Sequence, residues 1–146
     1  MNTEINQVQD QIIEEFALLA GDRESTIFYI MELGQQLAPL ADEFMTDANL
    51  IKGCQSKVWL NAELEGDRIV FSADSNTDIT KGLVSLLIRV LSGRKAEEIL
   101  SADLYFIDRI GMGGIIGSQR SNGLTAMIKQ MKLYALAYKT KLAGQA

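Results

Sequence analysis

The sequence predicts an α+β fold: a small antiparallel sheet packed against a layer of helices, in the order helix, helix, sheet, helices. Three observations carry that reading. Apolar residues recur every three or four positions over the first 37 residues. They alternate over Val58 to Leu64 and again over Arg68 to Asp74, and the three-to-four spacing then returns from Ile79 onward. At 146 residues and 47% hydrophobic content, the chain can bury one core without disulfides, and it is read as a single domain, 1–146.

The first helix follows from Ile5, Val8, Ile12, Phe16 and Leu19, with Thr3 as a candidate N-cap and Gly21 after its last turn. Asp22 or Ser25 caps a second, whose Ile27, Ile30, Leu33 and Leu37 turn inward; it stops before Pro39, because proline disfavours a helical residue ahead of it. Periodicity is lost from Leu40 to Ser56. A connection of that length in a compact domain is usually functional or disordered, and the cysteine near its end favours function.

Glu65-Gly66-Asp67 reads as a hairpin turn into a returning strand with Ile69, Phe71 and Ala73 on one face. Two strands alone are marginal, so a third strand or a helical layer must complete the sheet. The strongest apolar stripe, Ile79, Leu83, Leu86, Leu87 and Val90, marks a central helix starting at Ser75 or Asn76 and closed by Gly93. Arg94 to Leu100 and Leu104 to Ile110 read as short helical turns, and Gly111 to Gly117 as a flexible surface loop. From Ser121 or Asn122 a last helix buries Leu124, Met127, Ile128, Met131, Tyr134, Ala135 and Tyr138.

Composition excludes several chemistries. With no histidine and one cysteine, the chain has no Ser-His-Asp or Cys-His pair, no His-ligated metal and no Cys-rich zinc or cluster site within one subunit. None of the 19 carboxylates stands in a recognisable catalytic pairing. The glycine run fits no nucleotide loop: Ile116 sits where a dinucleotide fingerprint needs its third glycine, and no Gly-Lys-Ser or Gly-Lys-Thr is present. No cofactor and no metal are expected.

Apolar stretches are broken by charge before they reach a bilayer-spanning length, so no membrane association is expected. The N-terminus lacks the pattern of a secretory or transit peptide, and a single cysteine suits a reducing compartment, so the cytoplasm is the expected location. Residues 1–108 hold all 19 acids and 8 of the 14 bases, a formal −11, while residues 109–146 hold 6 bases and no acid. Lys129, Lys132, Lys139 and Lys141 read either as the solvated face of the last helix or as a docking patch for an acidic partner. Nucleic acid is a poor candidate, since the whole chain is acidic and no aromatic platform is interleaved with the bases.

The lone thiol, Cys54, follows Gly53 and precedes the strand that begins at Val58, which places it on a loop ahead of the sheet. It is either a small buried apolar residue or a presented nucleophile. Positive charge from Lys52 and Lys57 would favour the thiolate, although both also read as solvated loop lysines. Gly53 is expected to bend the chain or take positive φ so that Cys54 stands at the loop tip. Leu50, Ile51 and Trp59 offer apolar surface beside the thiol, with Trp59 alternatively an ordinary sheet-core aromatic.

Asn49-Leu-Ile-Lys-Gly-Cys-Gln-Ser-Lys-Val-Trp59 resembles the signature of the SufE-type sulfur acceptors of iron-sulfur cluster assembly, with Asn49, Ile51, Gly53, Cys54, Ser56, Val58 and Trp59 in register. The likeness extends to Glu32-Leu-Gly34, Lys81-Gly-Leu83 and Arg120-Ser-Asn-Gly-Leu-Thr-Ala-Met-Ile128, and so covers most of the chain. It implies a SufE/IscU-like fold with a sheet of about three strands and the cysteine loop at one edge. It implies that Cys54 takes persulfide sulfur from a PLP-dependent cysteine desulfurase of the SufS type, stimulates that enzyme and passes sulfur to an iron-sulfur scaffold of the SufB type. The chain itself would then be a covalent carrier rather than an enzyme, monomeric or weakly dimeric.

By the same resemblance Gly53, Gln55 and Ser56 shape the loop, Asp74 helps to hold it, and Arg120 contributes to desulfurase contact. Where many relatives have a His-Leu-Ser-Pro-like segment, this chain has Ile115-Ile-Gly-Ser118, which bears on any partner contact made there. The main alternative is a regulatory or scaffold-like interaction module on the same fold. A scaffold needs more cysteine ligands than one, and a regulatory module would tolerate loss of the thiol.

Overall fold

A computed structural model describes residues 3–144, apart from the side chains of Thr3, Ser118 and Gln119; the expected Thr3 cap lies outside what it describes. The first helices, α1 (Thr3–Ala17) and α2 (Arg23–Gln35), are joined by a short turn in which Ala20 and Gly21 take positive φ. The Asp22 carboxylate caps α2, accepting from the Ser25 N–H at 3.0 Å. Strands β1 (Val58–Glu65) and β2 (Arg68–Ser75) form an antiparallel hairpin in which Val58 faces Ser75 and Glu65 faces Arg68 across a turn containing Gly66 at φ 64°. Helix α3 (Asp78–Leu91) follows, and β3 (Arg94–Lys95) returns to pair with β2, giving the sheet order β1-β2-β3. The chain closes with α4 (Ala96–Ser101), α5 (Phe106–Arg109) and the long α6 (Met112–Gly144).

The alternation read in the hairpin decides which face meets the helices. Val58, Leu60 and Ala62 of β1 and Ile69, Phe71 and Ala73 of β2 are buried, and α3 covers β2 with Leu83, Leu86, Leu87 and Val90, all buried. Leu124, Met127, Met131 and Ala135 of α6 complete the core, and the Tyr138 hydroxyl ties the far end of α6 to the Ala62 carbonyl at 3.0 Å. Gln9, wholly buried among the apolar residues of α1, is satisfied at both ends: its amide nitrogen donates to the Asp103 carbonyl at 3.0 Å and its oxygen accepts from the Phe106 N–H at 3.1 Å. No helix among the described residues is long and apolar enough to cross a membrane.

Four local expectations need correction. Arg94 and Lys95 are strand, not the start of a helical turn, and α4 begins only at Ala96. Gly111 to Gly117 is largely helical: Met112 and Ile116, four positions apart, are buried and hold a turn that glycine's weak propensity would not sustain. Gly117, at φ 82° and ψ 168°, then breaks α6. The connection from Leu40 to Ser56 is not featureless, since two 3-10 turns, Asp42–Phe44 and Asp47–Asn49, fold it against β1. The N-cap of α3 is Thr77, while Ser75 belongs to β2.

In α2 the buried face is Thr26, Ile30 and Gly34, with Ile27 and Leu33 only half-buried, and the helix ends at Gln35, before the half-buried Leu37. The cause is how closely α2 approaches α3. A Cβ on Gly82 would stand 1.9 Å from the Ile30 carbonyl oxygen, and one on Gly34 would stand 2.2 Å from that of Asp78. Two backbones in contact cannot admit a methyl group without the helices parting. Gly82→Ala is therefore expected to destabilise the fold by about 3 kcal/mol, at the upper end of overpacking costs. Gly114→Ala, whose Cβ meets nothing within 4 Å, should gain up to about 1 kcal/mol of helix propensity. Denaturant unfolding of the two variants beside the parent chain checks both signs.

Candidate functional site

The segment leading to Cys54 is pinned before it reaches the thiol. The Asn49 amide donates to the Phe44 carbonyl at 2.8 Å, Leu50 bridges to Trp59, and Ile51 is buried in the core. The Ile51 N–H then donates to the Val58 carbonyl at 2.9 Å, which closes residues 52–57 into a loop standing on the start of β1. Its returning arm is clasped by the junction between β2 and α3. The Ser75 hydroxyl donates to the Lys57 carbonyl at 2.7 Å, the Lys57 N–H donates to the Asn76 side-chain oxygen at 3.0 Å, and the Thr77 hydroxyl bonds Ser56 at 3.2 Å and Thr80 at 2.8 Å.

Gly53 takes φ 93°, a conformation that disfavours an L side chain, and its own Cβ position would be 3.5 Å from the Ala126 methyl on α6. That bend turns Cys54 inward. Instead of projecting from the tip, the half-buried thiol donates to the Gly123 carbonyl of α6 at 3.5 Å. Lys52 and Lys57 are exposed and do not activate it; burial alone pushes the Cys54 thiol above its ordinary range. The expectation of a lysine-favoured thiolate is thus replaced by a neutral thiol acting as a donor.

Beside the sulfur is an open cleft of about 400 Å³. Leu83 and Met127, both 1% exposed, form its apolar floor. Asn76, Thr77 and Thr80 line it from the β2–α3 junction and the first turn of α3, and Arg120, exposed, lines it from α6. Gln55, exposed, and Ser56, half-buried, line it from the loop. A second hollow of about 360 Å³ lies along the loop on the side of Leu50, Ile51 and Lys52. Trp59 lines neither and is not in the core: the alternation that buries Val58 and Leu60 puts it, half-buried, on the outer face of the sheet.

Asp74 lies opposite Trp59, where its carboxylate accepts from the Ser75 N–H at 2.8 Å and pairs with Lys81 at 3.6 Å. It adjoins the residues that clasp the loop without lining the cleft. Cys54, Gln55, Ser56 and Arg120 are brought together, Gly53 sets the turn, and Asp74 supports from behind. Sequence reading missed Thr77, Thr80, Asn76 and Gly123. Gly123 carried a signal, since glycine inside a strong helical pattern lowers stability and usually marks close packing. Ile115 is half-buried and lines a separate groove with Phe16 and Arg109 that does not include the thiol. Among the described residues no group of three or more His, Cys, Asp or Glu side chains is placed to hold a metal ion.

Comparison with known proteins places these features in a family. Residues 10–135 match the SufE family model, described as an Fe-S metabolism associated domain. The chain is 40% identical over 128 residues to an uncharacterised SufE-like protein of Rhizobium etli, covering 84% of this chain and 86% of that protein. It is 37% identical to a SufE-like protein of Rhizobium meliloti, covering 84% and 91%. It is also 39% identical over 119 residues to the chloroplastic/mitochondrial SufE-like protein 1 of Arabidopsis thaliana, covering 81% of this chain and 31% of the plant protein. The solution structure of a hypothetical protein from Thermus thermophilus has the same fold, with a TM-score of 0.74 at 19% identity over 91% of this chain and 96% of that one.

The Thr77 clasp makes a checkable claim about the loop. Thr77→Val removes the hydroxyl that joins Ser56 to Thr80, and should lower stability by about 1 kcal/mol, the usual net value of one such bond. It should also raise the rate at which iodoacetamide alkylates Cys54, while Thr77→Ser keeps the parent rate. An unchanged rate in the valine variant would mean that the clasp does not restrain the thiol.

Proposed function

The chain belongs to the SufE family, and from that premise we propose that Cys54 is a sulfur acceptor, taking persulfide sulfur from a cysteine desulfurase and passing it on for iron-sulfur assembly. The observation that carries the reading is the position of the only thiol, on a loop closed at its base and at the edge of a cleft roomy enough for a further sulfur atom. In the transfer step the Cys54 thiolate attacks the outer sulfur of the partner's cysteine persulfide. One S–S bond forms as the other breaks; the partner's cysteine leaves as a thiolate and recovers a proton, and no external oxidant or reductant is consumed.

The chain's own residues supply position and shelter. Gly53 sets the bend, the Ser75–Thr77 junction holds the returning arm, and the floor of Leu83 and Met127 excludes water from one side of the carried sulfur. Arg120, on the cleft wall, offers a cation to the outer sulfur of the persulfide, which ionises more readily than a thiol. A lone cysteine suits the role, because a second nearby thiol would attack the persulfide and release its sulfur as sulfide. The desulfurase brings the PLP chemistry, a scaffold of the SufB type receives the sulfur, and the cytoplasm is the proposed location. The Arabidopsis relative is named as chloroplastic/mitochondrial.

Incubating the protein with a cysteine desulfurase and cysteine should add the mass of one sulfur atom, removable by reductant and mapped to the peptide containing Gly53-Cys54-Gln55. Cys54→Ser should abolish both the adduct and any rise in desulfurase turnover, with stability within about 1 kcal/mol of the parent. Full stimulation by Cys54→Ser would instead make the protein a regulatory module. Arg120→Ala should reduce stimulation more than it reduces thermal stability, since the side chain is exposed; a collapse of stability with normal stimulation per folded molecule would make Arg120 structural.

A further inference from the structure

The solvent face of α6 continues the surface of the cysteine loop. Ala126, Lys129, Leu133, Leu136 and Ala137 lie along it at three- and four-residue spacing. Leu133 is 47% and Leu136 51% exposed, among the few large apolar side chains left so open, while Ala126 at the near end packs beside Gly53. Counting from Gly123, whose carbonyl meets the thiol, Leu133 stands about 15 Å and Leu136 about 20 Å along the helix at ~1.5 Å per residue. A round interface of standard size, about 800 Å² per partner, reaches about 16 Å from its centre. Such a contact is about 32 Å across, so one that takes in Cys54 toward one side covers both leucines.

Charge indicates what covers it. Residues 109–146 hold 6 bases and no acid, and Lys129, Lys139 and Lys141 are exposed along the same helix. A second copy docked by this face about a two-fold axis would set those lysines against their own counterparts, which disfavours a homodimer here. An acidic surface around an apolar patch is the complementary shape of charge. Isolated exposed leucines need no explanation; two on successive turns, continuous with the cysteine loop and on a helix that carries bases and no acid, do.

We propose that the solvent face of α6 is a docking strip for the sulfur donor, a desulfurase whose matching surface is acidic around an apolar patch; this rests on the acceptor reading above. Leu133 and Leu136 form the water-excluded centre of the contact. The lysines steer the approach, so their contribution falls as salt rises.

The test measures the affinity of the desulfurase from the same organism for the parent chain, for the double variant Leu133→Asp/Leu136→Asp, for Lys129→Glu and for Phe28→Asp. Phe28 is an exposed apolar residue on α2 and serves as the control. The double variant should bind about tenfold or more weakly, a hot-spot-sized loss. Lys129→Glu should weaken binding at low salt and less at high salt, and Phe28→Asp should stay within about twofold of the parent, as surface changes outside an interface do. Alkylation of Cys54 by iodoacetamide should proceed at the parent rate in all of them.

Affinity of the double variant within about twofold of the parent, with sulfur still loaded onto Cys54, overturns the strip and leaves the acceptor reading standing. Weaker binding accompanied by altered alkylation also overturns it, because α6 would then be acting through the loop. A parent chain that neither binds the desulfurase nor takes up sulfur overturns both.

Discussion

One main-chain hydrogen bond, from the Ile51 N–H to the Val58 carbonyl, decides where the loop that carries Cys54 stands. It closes residues 52–57 at the point where β1 begins, on a base fixed in the core by Ile51. With both ends held together, positive φ at Gly53 has one consequence available to it: the side chain of Cys54 turns toward α6. The close α2–α3 contact through Gly34 and Gly82 serves the same end indirectly, since it seats α3 where Thr77 and Thr80 can reach the loop. The helical layer thus fixes the walls of the cleft, and the hairpin fixes its rim.

That arrangement sets the chemistry of the resting thiol. In the closed loop the sulfur is a hydrogen-bond donor to a carbonyl, and burial opposes its ionisation. A carbonyl partner suits S–H and not S⁻, so the closed loop favours the neutral thiol. Without the burial and the Gly123 contact, the thiol would return to the ordinary cysteine range. The same contact would be lost on loading, because a persulfide has no proton on its inner sulfur to offer Gly123, while the cleft beside it presents Arg120 and hydroxyls.

Much of the architecture was legible because it rests on periodicity. The period-two alternation of β1 and β2 and the stripe of α3 named the core faces correctly, and residue type narrowed the α2 cap to Asp22 or Ser25, of which Asp22 is the cap and Ser25 its donor. What escaped was non-local or too short to have a period. Two residues, Arg94 and Lys95, cannot alternate, so the third strand was hidden in what looked like a helical turn. The helical turn before Gly117 depends on Met112 and Ile116 finding the core. At the site, Cys54 stood out by being the only thiol and by its flanks. Its surroundings come from the β2–α3 junction and the first half of α6, and Gly123 lies 69 positions away. No window of sequence contains that contact, and none distinguishes a thiol turned in from one turned out.

The pH dependence of Cys54 alkylation tests the inward-turned thiol most directly, with the same chain unfolded in urea as its internal reference. In the folded protein the midpoint should lie above that of the unfolded chain, and the rate near neutral pH should be the lower of the two. A folded-state midpoint at or below the unfolded one would mean that the loop holds a thiolate, contradicting the donor role assigned to Cys54 and the restraint that Gly123 is said to impose.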